Sequence, residues 1–229
     1  MSLFVIGDLH LSFKAEKPMD IFEGWGNYVD RLYSCWQECV KPDDTVVILG
    51  DVSWGMNFEE AFPDFDFINK LNGKKIIIKG NHDYWWASRK KMDDWLAASG
   101  LDTISILFND SYIVDGIGIC GTRSWFFDET ESPDDKVYHR ELGRLENSLN
   151  SLKGKGAKET IAFLHYPPIY KNSRCGDIIE LLKKNGIKRC YYAHVHGDSI
   201  AWAFNGSYDG IEFRLVSADY LKFEPYIIK

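Results

Sequence analysis

Lys74–Asp83 reads KKIIIKGNHD: three consecutive isoleucines behind a lysine pair, then a third lysine, a glycine, an amide, an imidazole and a carboxylate. A continuously apolar, β-branched run suits a strand buried on both faces, as in a parallel sheet covered by other layers. After Lys79 come Gly80, Asn81, His82 and Asp83, so polar, metal-competent groups sit at the C-terminal end of the strand. In open α/β sheets the C-terminal strand ends share one crevice. The fold and the chemistry therefore turn on whether other strands end in the same way.

Four others do. LFVI (3–6) runs into Gly7-Asp8-Leu9-His10, TVVIL (45–49) into Gly50-Asp51, TIAFL (160–164) into His165, and RCYYA (189–193) into His194-Val195-His196-Gly197. Helical spacing of apolar residues fills the intervals, in YVDRLYSCWQECV (28–40), WWASRKKMDDWLAA (85–98), VYHRELGRLENSLNSL (137–152) and DIIELLKKNG (177–186). YIVDGIGIC (112–120) carries a DG hairpin signal, and IAWAFNGSYDGIEFRLV (200–216) offers NG and DG turns between two more strands. Residues 122–136, TRSWFFDETESPDDK, are expected to form a long surface loop bearing Trp125, Phe126 and Phe127. With no repeat, low-complexity tract or linker, the expectation is a single domain spanning 1–229.

Bulk properties narrow the function. A net charge of -7 and a pI near 5.4 argue against a general affinity for nucleic acid backbone, which needs a basic face. Leu3–Ile6 is too short for a signal sequence core, and no run approaches the ~18 apolar residues of a membrane span, so a cytoplasmic protein without membrane contact is expected. Cys35, Cys39, Cys120, Cys175 and Cys190 form no C-x-x-C pair and read as reduced thiols, Cys35 and Cys39 as packing residues of one helix.

A lone histidine after a strand, or a lone GNHD turn, is ordinarily structural. Five such strand ends together are not. In D-x-H and H-x-H an extended backbone sends alternate side chains to one face, so each pair reaches a common point. Two pairs, one aspartate, one asparagine and one histidine make seven donors, too many for one four-coordinate ion and suited to two ions sharing a carboxylate. The absence of cysteine favours borderline-to-hard divalent ions. His139 is the one histidine outside the set, and its helical context assigns it to the surface.

In this order the motifs resemble the calcineurin-like metallophosphoesterase superfamily, over residues 7–197. The resemblance implies an α/β fold, a four-layer α/β/β/α sandwich of two mixed sheets flanked by helices. It implies Asp8, His10, Asp51 and His196 around one divalent ion and Asp51, Asn81, His165 and His194 around a second, with Asp51 bridging. His82 is then no ligand but the acid or electrostatic stabiliser of the leaving alkoxide, while a hydroxide between the ions attacks phosphorus in line. Mn²⁺ is the preferred ion of this reading, with Fe, Zn, Ni and Co also suitable. Gly50-Asp51-Val52-Ser53-Trp54-Gly55 lacks the later Asp and Arg of the protein Ser/Thr phosphatase branch, which argues against that activity and leaves the partner of His82 open. Ala193 stands where glycine is more usual, and the tail after Gly197 is too short for the DNA-capping domain of nuclease relatives. Asp83 is read as a structural carboxylate at a helix N-terminus.

The substrate is less determined. Lys79, Arg123 and Arg174 are the cations closest to the motifs in sequence, Arg123 and Arg174 being the candidate substrate contacts, and distant loops could add Arg140 or Arg144. Trp54, Trp85, Trp86 and the loop aromatics offer stacking surfaces. Few cations and an aromatic-rich edge favour a small phosphodiester. A phosphomonoesterase on a small metabolite, a nuclease, and a non-catalytic binding module on the same fold are the alternatives.

Overall fold

The protein is described here by a computed structural model covering residues 1–125 and 135–229. Phe126, Phe127 and most of the expected surface loop lie outside the described residues. The elements run β1 (Leu3–Ile6), α1 (Tyr28–Cys39), β2 (Thr45–Ile48), α2 (Phe58–Lys70), β3 (Lys74–Ile77), α3 (Arg89–Ala98), β4 (Ile104–Ile106), β5 (Tyr112–Val114) and β6 (Ile117–Thr122). They continue with α4 (Asp135–Asn150), β7 (Glu159–Leu164), β8 (Ile169–Tyr170), β9 (Ser173–Arg174), α5 (Gly176–Lys184) and β10 (Arg189–Tyr192). A 3₁₀ turn (Gly197–Trp202), β11 (Gly206–Tyr208), β12 (Ile211–Leu215) and β13 (Tyr226–Ile227) complete the chain.

Two sheets result. One has the order β13-β1-β2-β3-β4, parallel except for β13; the other has the order β11-β12-β10-β7-β6-β5, with four parallel central strands and an antiparallel strand at each edge. Period-2 alternation divides each strand between two cores. Phe4, Ile6, Val46, Ile48 and Ile77 face Leu32 and Trp36 of α1, Phe65 and Ile68 of α2, and Met92 and Leu96 of α3. Leu3, Val5, Val47, Leu49 and Ile76 turn the other way, against Ile119, Ile161, Phe163 and Tyr191 of the second sheet. The outer face of that sheet packs Leu164, Tyr192 and Leu215 on Leu145 and Leu149 of α4 and Ile178 and Leu182 of α5. Both faces of each sheet are dry, which is why the strands read as unbroken apolar runs, and the expected four-layer α/β/β/α arrangement is what forms.

Local chemistry explains where the expectation missed. No helix was assigned to 58–70, where acidic residues and Pro63 interrupt the pattern; α2 forms because Asn57 caps it, its side chain accepting Glu60 N at 3.0 Å while Asn57 Nδ2 donates to Glu60 Oε1 at 3.0 Å. Helix α3 begins at Arg89 rather than Trp85, capped by Ser88, so Asp83 is not at a helix N-terminus. Both DG pairs make hairpin turns with positive φ at each residue (Asp115 47°, Gly116 81°; Asp209 49°, Gly210 80°), whereas Asn205-Gly206 leads into β11.

Candidate metal centre

The C-terminal ends of β1, β2 and β3 meet those of β7 and β10 at one seam, and all seven expected donors gather there. Asp8, His10 and His196 bring donor atoms within 4.8 Å of one another, and so do Asp51, His165 and His194. The two groups adjoin through Asp51, whose Oδ2 lies 3.8 Å from His10 Nε2 and 3.5 Å from His165 Nε2. Asn81 Oδ1 is 2.7 Å from His165 Nε2, on the second group.

Small residues make this convergence possible. A Cβ on Gly80 would overlap the Asp51 carboxylate and backbone nitrogen, and one on Gly50, at φ 80°, would overlap Gly80. A Cβ on Gly7 would collide with that of Ala193. The departure at Ala193 is thus accommodated by the bare glycine opposite. Asp8 (φ 58°), His10 (46°), Asp51 (49°) and His194 (72°) all adopt left-handed backbone, so the D-x-H and H-x-H pairs converge through tight turns beyond the strands rather than through the extended alternation expected from the sequence; such backbone is unfavourable for non-glycine residues and typical of functional sites.

Hydrogen bonding fixes which ring nitrogens are free. His165 Nδ1 donates to Leu49 O at 2.7 Å, leaving the Nε2 lone pair facing two oxygens, those of Asn81 and Asp51. His196 Nδ1 donates to Asp219 Oδ1 at 3.0 Å, turning its Nε2 toward His10 Nε2 at 3.4 Å and Asp8 Oδ2 at 3.6 Å. A backbone carbonyl or carboxylate that holds one imidazole nitrogen while the other points into the site is the support ordinarily found behind metal-ligating histidines. Asp8 Oδ1 is buried without a hydrogen bond.

The charges tell the same story. Burial opposes a charge on His196, yet Asp8 and Asp219 overcome it and push its pKa up to about 10. Burial would raise Asp8, but His196, with His165 and His10 behind it, holds its carboxyl well below the usual range. Burial, then repulsion from Asp83 and Asp8, raises Asp51 well above it. Burial and the neighbouring His165 lower His194 to about 3, and His10 is lowered mainly by burial. Acceptors crowd together at positions that demand positive charge, so the donor set fits divalent cations.

His82 stands beside these groups. Its backbone N donates to Asp51 Oδ1 at 2.7 Å, its ring lies 5.8 Å from that of His10 and 4.5 Å from that of Trp54, and its Nδ1 is 3.3 Å from the Tyr84 hydroxyl. Tyr84 is thus the side chain within hydrogen-bonding reach of the His82 ring. Burial lowers the His82 pKa, with a further push from His165.

Two carboxylates support the centre: Asp83, expected to be structural but at a helix N-terminus, and Asp219, which the sequence reading passed over. Asp83 is buried and accepts Asp51 N (2.9 Å), Val52 N (2.9 Å), Gly80 N (2.7 Å) and Trp85 Nε1 (3.0 Å); it clamps two strand-end loops together rather than starting a helix. Asp219 follows β12, another parallel strand whose end reaches the seam, and applying the strand-end rule once more would have found it. Arg123 is mostly buried, its backbone O accepting Tyr166 N at 2.9 Å, next to His165. Arg174 is exposed on β9, stacked on Tyr208 at 4.6 Å in a separate cavity with α5 residues. His139 is exposed on α4.

The family model for calcineurin-like phosphoesterases matches residues 1–198. The chain belongs to the calcineurin-like phosphoesterase family. This phosphoesterase is accordingly a hydrolase of phosphoester bonds in a metal-dependent family, with two candidate metal-binding groups of its own. Solved structures share its fold. Phosphopantetheinyl hydrolase from Mycobacterium tuberculosis matches with a TM-score of 0.59 at 15% identity, over 99% of this chain and 95% of that one. A protein of unknown function from Aquifex aeolicus matches at 0.52 and 16% identity, over 99% and 95%. A purple acid phosphatase from yellow lupin matches at 0.52 and 12% identity, over 99% of this chain and 44% of its own. No curated protein matches the phosphoesterase sequence. Among the described residues no helix is long and apolar enough to cross a membrane.

Proposed function

We propose that this protein is a dinuclear phosphoester hydrolase acting on small phosphodiesters. The observation that carries the reading is the position of Asp51 Oδ2 between the His10 and His165 nitrogens, at 3.8 and 3.5 Å, joining two donor groups. Asp8, His10, His196 and Asp51 would hold one divalent ion, and Asp51, Asn81, His165 and His194 the other. Nitrogen and oxygen donors without thiolate suit Mn²⁺, our preferred ion, as well as Fe, Zn, Ni or Co. When bound, two such ions supply charge neutralisation at phosphorus and a nucleophile at neutral pH.

The chain itself does the rest. Asp83 and Asp219 keep the donors turned inward. His82, fastened by its backbone N to Asp51 and flanked by Trp54 and Tyr84, stands at the mouth in position to give a proton to the leaving oxygen. Trp54, stacked on His10 at 5.1 Å, and the exposed Tyr84 offer an aromatic ledge for a second organic arm, which a diester has and a monoester lacks. Five free thiols fit a cytoplasmic location.

Elemental analysis should find about two divalent ions per chain, and chelation should abolish most activity, with Mn²⁺ restoring it. On reconstituted protein, kcat/KM for bis(p-nitrophenyl) phosphate should exceed that for p-nitrophenyl phosphate. A clear monoester preference would reject the diesterase while leaving the dinuclear hydrolase standing, and one ion with chelator-resistant activity would reject both.

A further inference from the structure

A second cleft opens beside the metal centre, at the ends of β3 and β6. Lys79, Trp86, Thr122, Arg123, Glu141 and Arg144 line it. Lys79 precedes Gly80-Asn81, and Arg123 is bonded through its backbone to Tyr166, so the cleft abuts the Asn81 and His165 side of the centre. Chain order hides this grouping: Lys79, Arg123 and Arg144 come from two strand ends and the middle of α4.

Its chemistry is one-sided. Three cations face a single carboxylate, Glu141, which is itself almost fully spent. Glu141 Oε1 accepts Arg144 Nη1 at 2.6 Å and Arg123 Nη2 at a long 3.4 Å, and Oε2 accepts the Thr122 hydroxyl at 2.8 Å. Lys79 has neither a hydrogen bond nor an ion pair among the described residues. Arg123 Nε and Trp86 Nε1 are buried N–H groups with no acceptor among the described residues. Buried donors without partners are costly, so these two, together with the half-buried Lys79 ammonium and the surplus positive charge, specify an anionic acceptor. Guanidinium groups match phosphate oxygens in geometry, and the two-charge surplus matches a phosphate dianion.

We infer that this cleft is a subsite for a second phosphate group, so that the substrate carries one phosphate beyond the ester that is hydrolysed. The inference rests on the hydrolase reading above and adds its substrate class: a phosphoester with a phosphorylated arm. Glu141 is the positioning residue that holds the two arginines, and Lys79, Arg123 and Arg144 contact the anion.

A series of α,ω-alkanediyl bisphosphates with two to six carbons, each paired with the alkyl monophosphate of equal length, tests it. Affinities are measured by calorimetry on protein with and without Mn²⁺, and as inhibition of bis(p-nitrophenyl) phosphate hydrolysis. At one or two chain lengths the bisphosphate should bind at least about tenfold more tightly than its monophosphate, the scale of a charge-assisted contact. That ratio should fall toward one in Arg144→Gln and Lys79→Met and be kept in Arg144→Lys, whereas a merely structural role for Arg144 would move the melting temperature and not the ratio. A ratio near one at every length, or one unchanged in both variants, overturns the subsite. Because calorimetry reads the ratio without turnover, a protein that hydrolyses no ester yet keeps it would reject the hydrolase and retain the phosphate site.

Discussion

Asp219 gives the sharpest test of how the centre is built. Its Oδ1 accepts His196 Nδ1 at 3.0 Å and Tyr220 N at 2.9 Å, and its Oδ2 accepts Gly197 N at 3.0 Å. Asp219→Ala removes the acceptor that keeps the His196 Nε2 lone pair aimed at Asp8 and His10, and it frees the backbone that carries His196. Loss of such a supporting carboxylate typically lowers metal affinity about 10- to 100-fold, or roughly 1.4–2.7 kcal/mol. The effect should be unequal, because Asp219 touches only the Asp8-His10-His196 group. Calorimetric titration of metal-free protein with Mn²⁺ should resolve two binding events, one falling by that factor in Asp219→Ala and the other changing less than about threefold. Asp219→Asn, which keeps an acceptor oxygen without the charge, should lie between. Equal weakening of both events, or none, would refute the division into two groups with separate supports.

Asp51→Asn should impair both binding events, since its carboxylate adjoins both groups; His82→Ala should leave metal content near normal and lower kcat by roughly 10². An emptied site in His82→Ala would make His82 a ligand and overturn its role. Lys75, fully buried on β3, donates to Asn69 O at 3.5 Å, Thr103 Oγ1 at 3.1 Å and the Leu71 carbonyl, and so caps the C-terminal end of α2 without a counter-ion among the described residues. Burial lowers its pKa from 10.5 to about 8, so the unfolded chain binds the extra proton between those values and stability rises with pH across that window. By linkage the rise is at most about 3 kcal/mol, and urea unfolding of Lys75→Met should lack it; parallel pH profiles would dismiss the assignment.

The convergence of the seven candidate donors was legible because each sits at the end of a strand whose apolar run is itself unmistakable, and the parallel arrangement turns sequence position into spatial position. Asp219 escaped because β12 follows a hairpin and reads as part of it, although its end reaches the same seam. The clamp made by Asp83 was not legible at all: its partners, Asp51 N and Val52 N, approach only after β2 and β3 pair, so nothing local marks it. Helix α2 was obscured by Pro63, whose cost is outweighed by a capped start and by Phe65 and Ile68 in the core. The cationic cleft could be named residue by residue but not assembled, because Arg144 joins it from α4.

The seam has a mechanical consequence. Asp8, His10, Asp51 and Asn81 ride on one sheet and His165, His194 and His196 on the other, so the spacing between the sheets is also the spacing between halves of the centre. That spacing is set by apolar residues that offer no donor of their own, among them Val5, Val47, Ile119 and Phe163. The inter-sheet layer acts as a shim: thinning it by one side chain shifts the two halves relative to each other before it unfolds anything. Substitutions there should therefore present as losses of activity in a protein that still melts cooperatively, and a screen for inactive variants would return apolar core positions alongside the histidines.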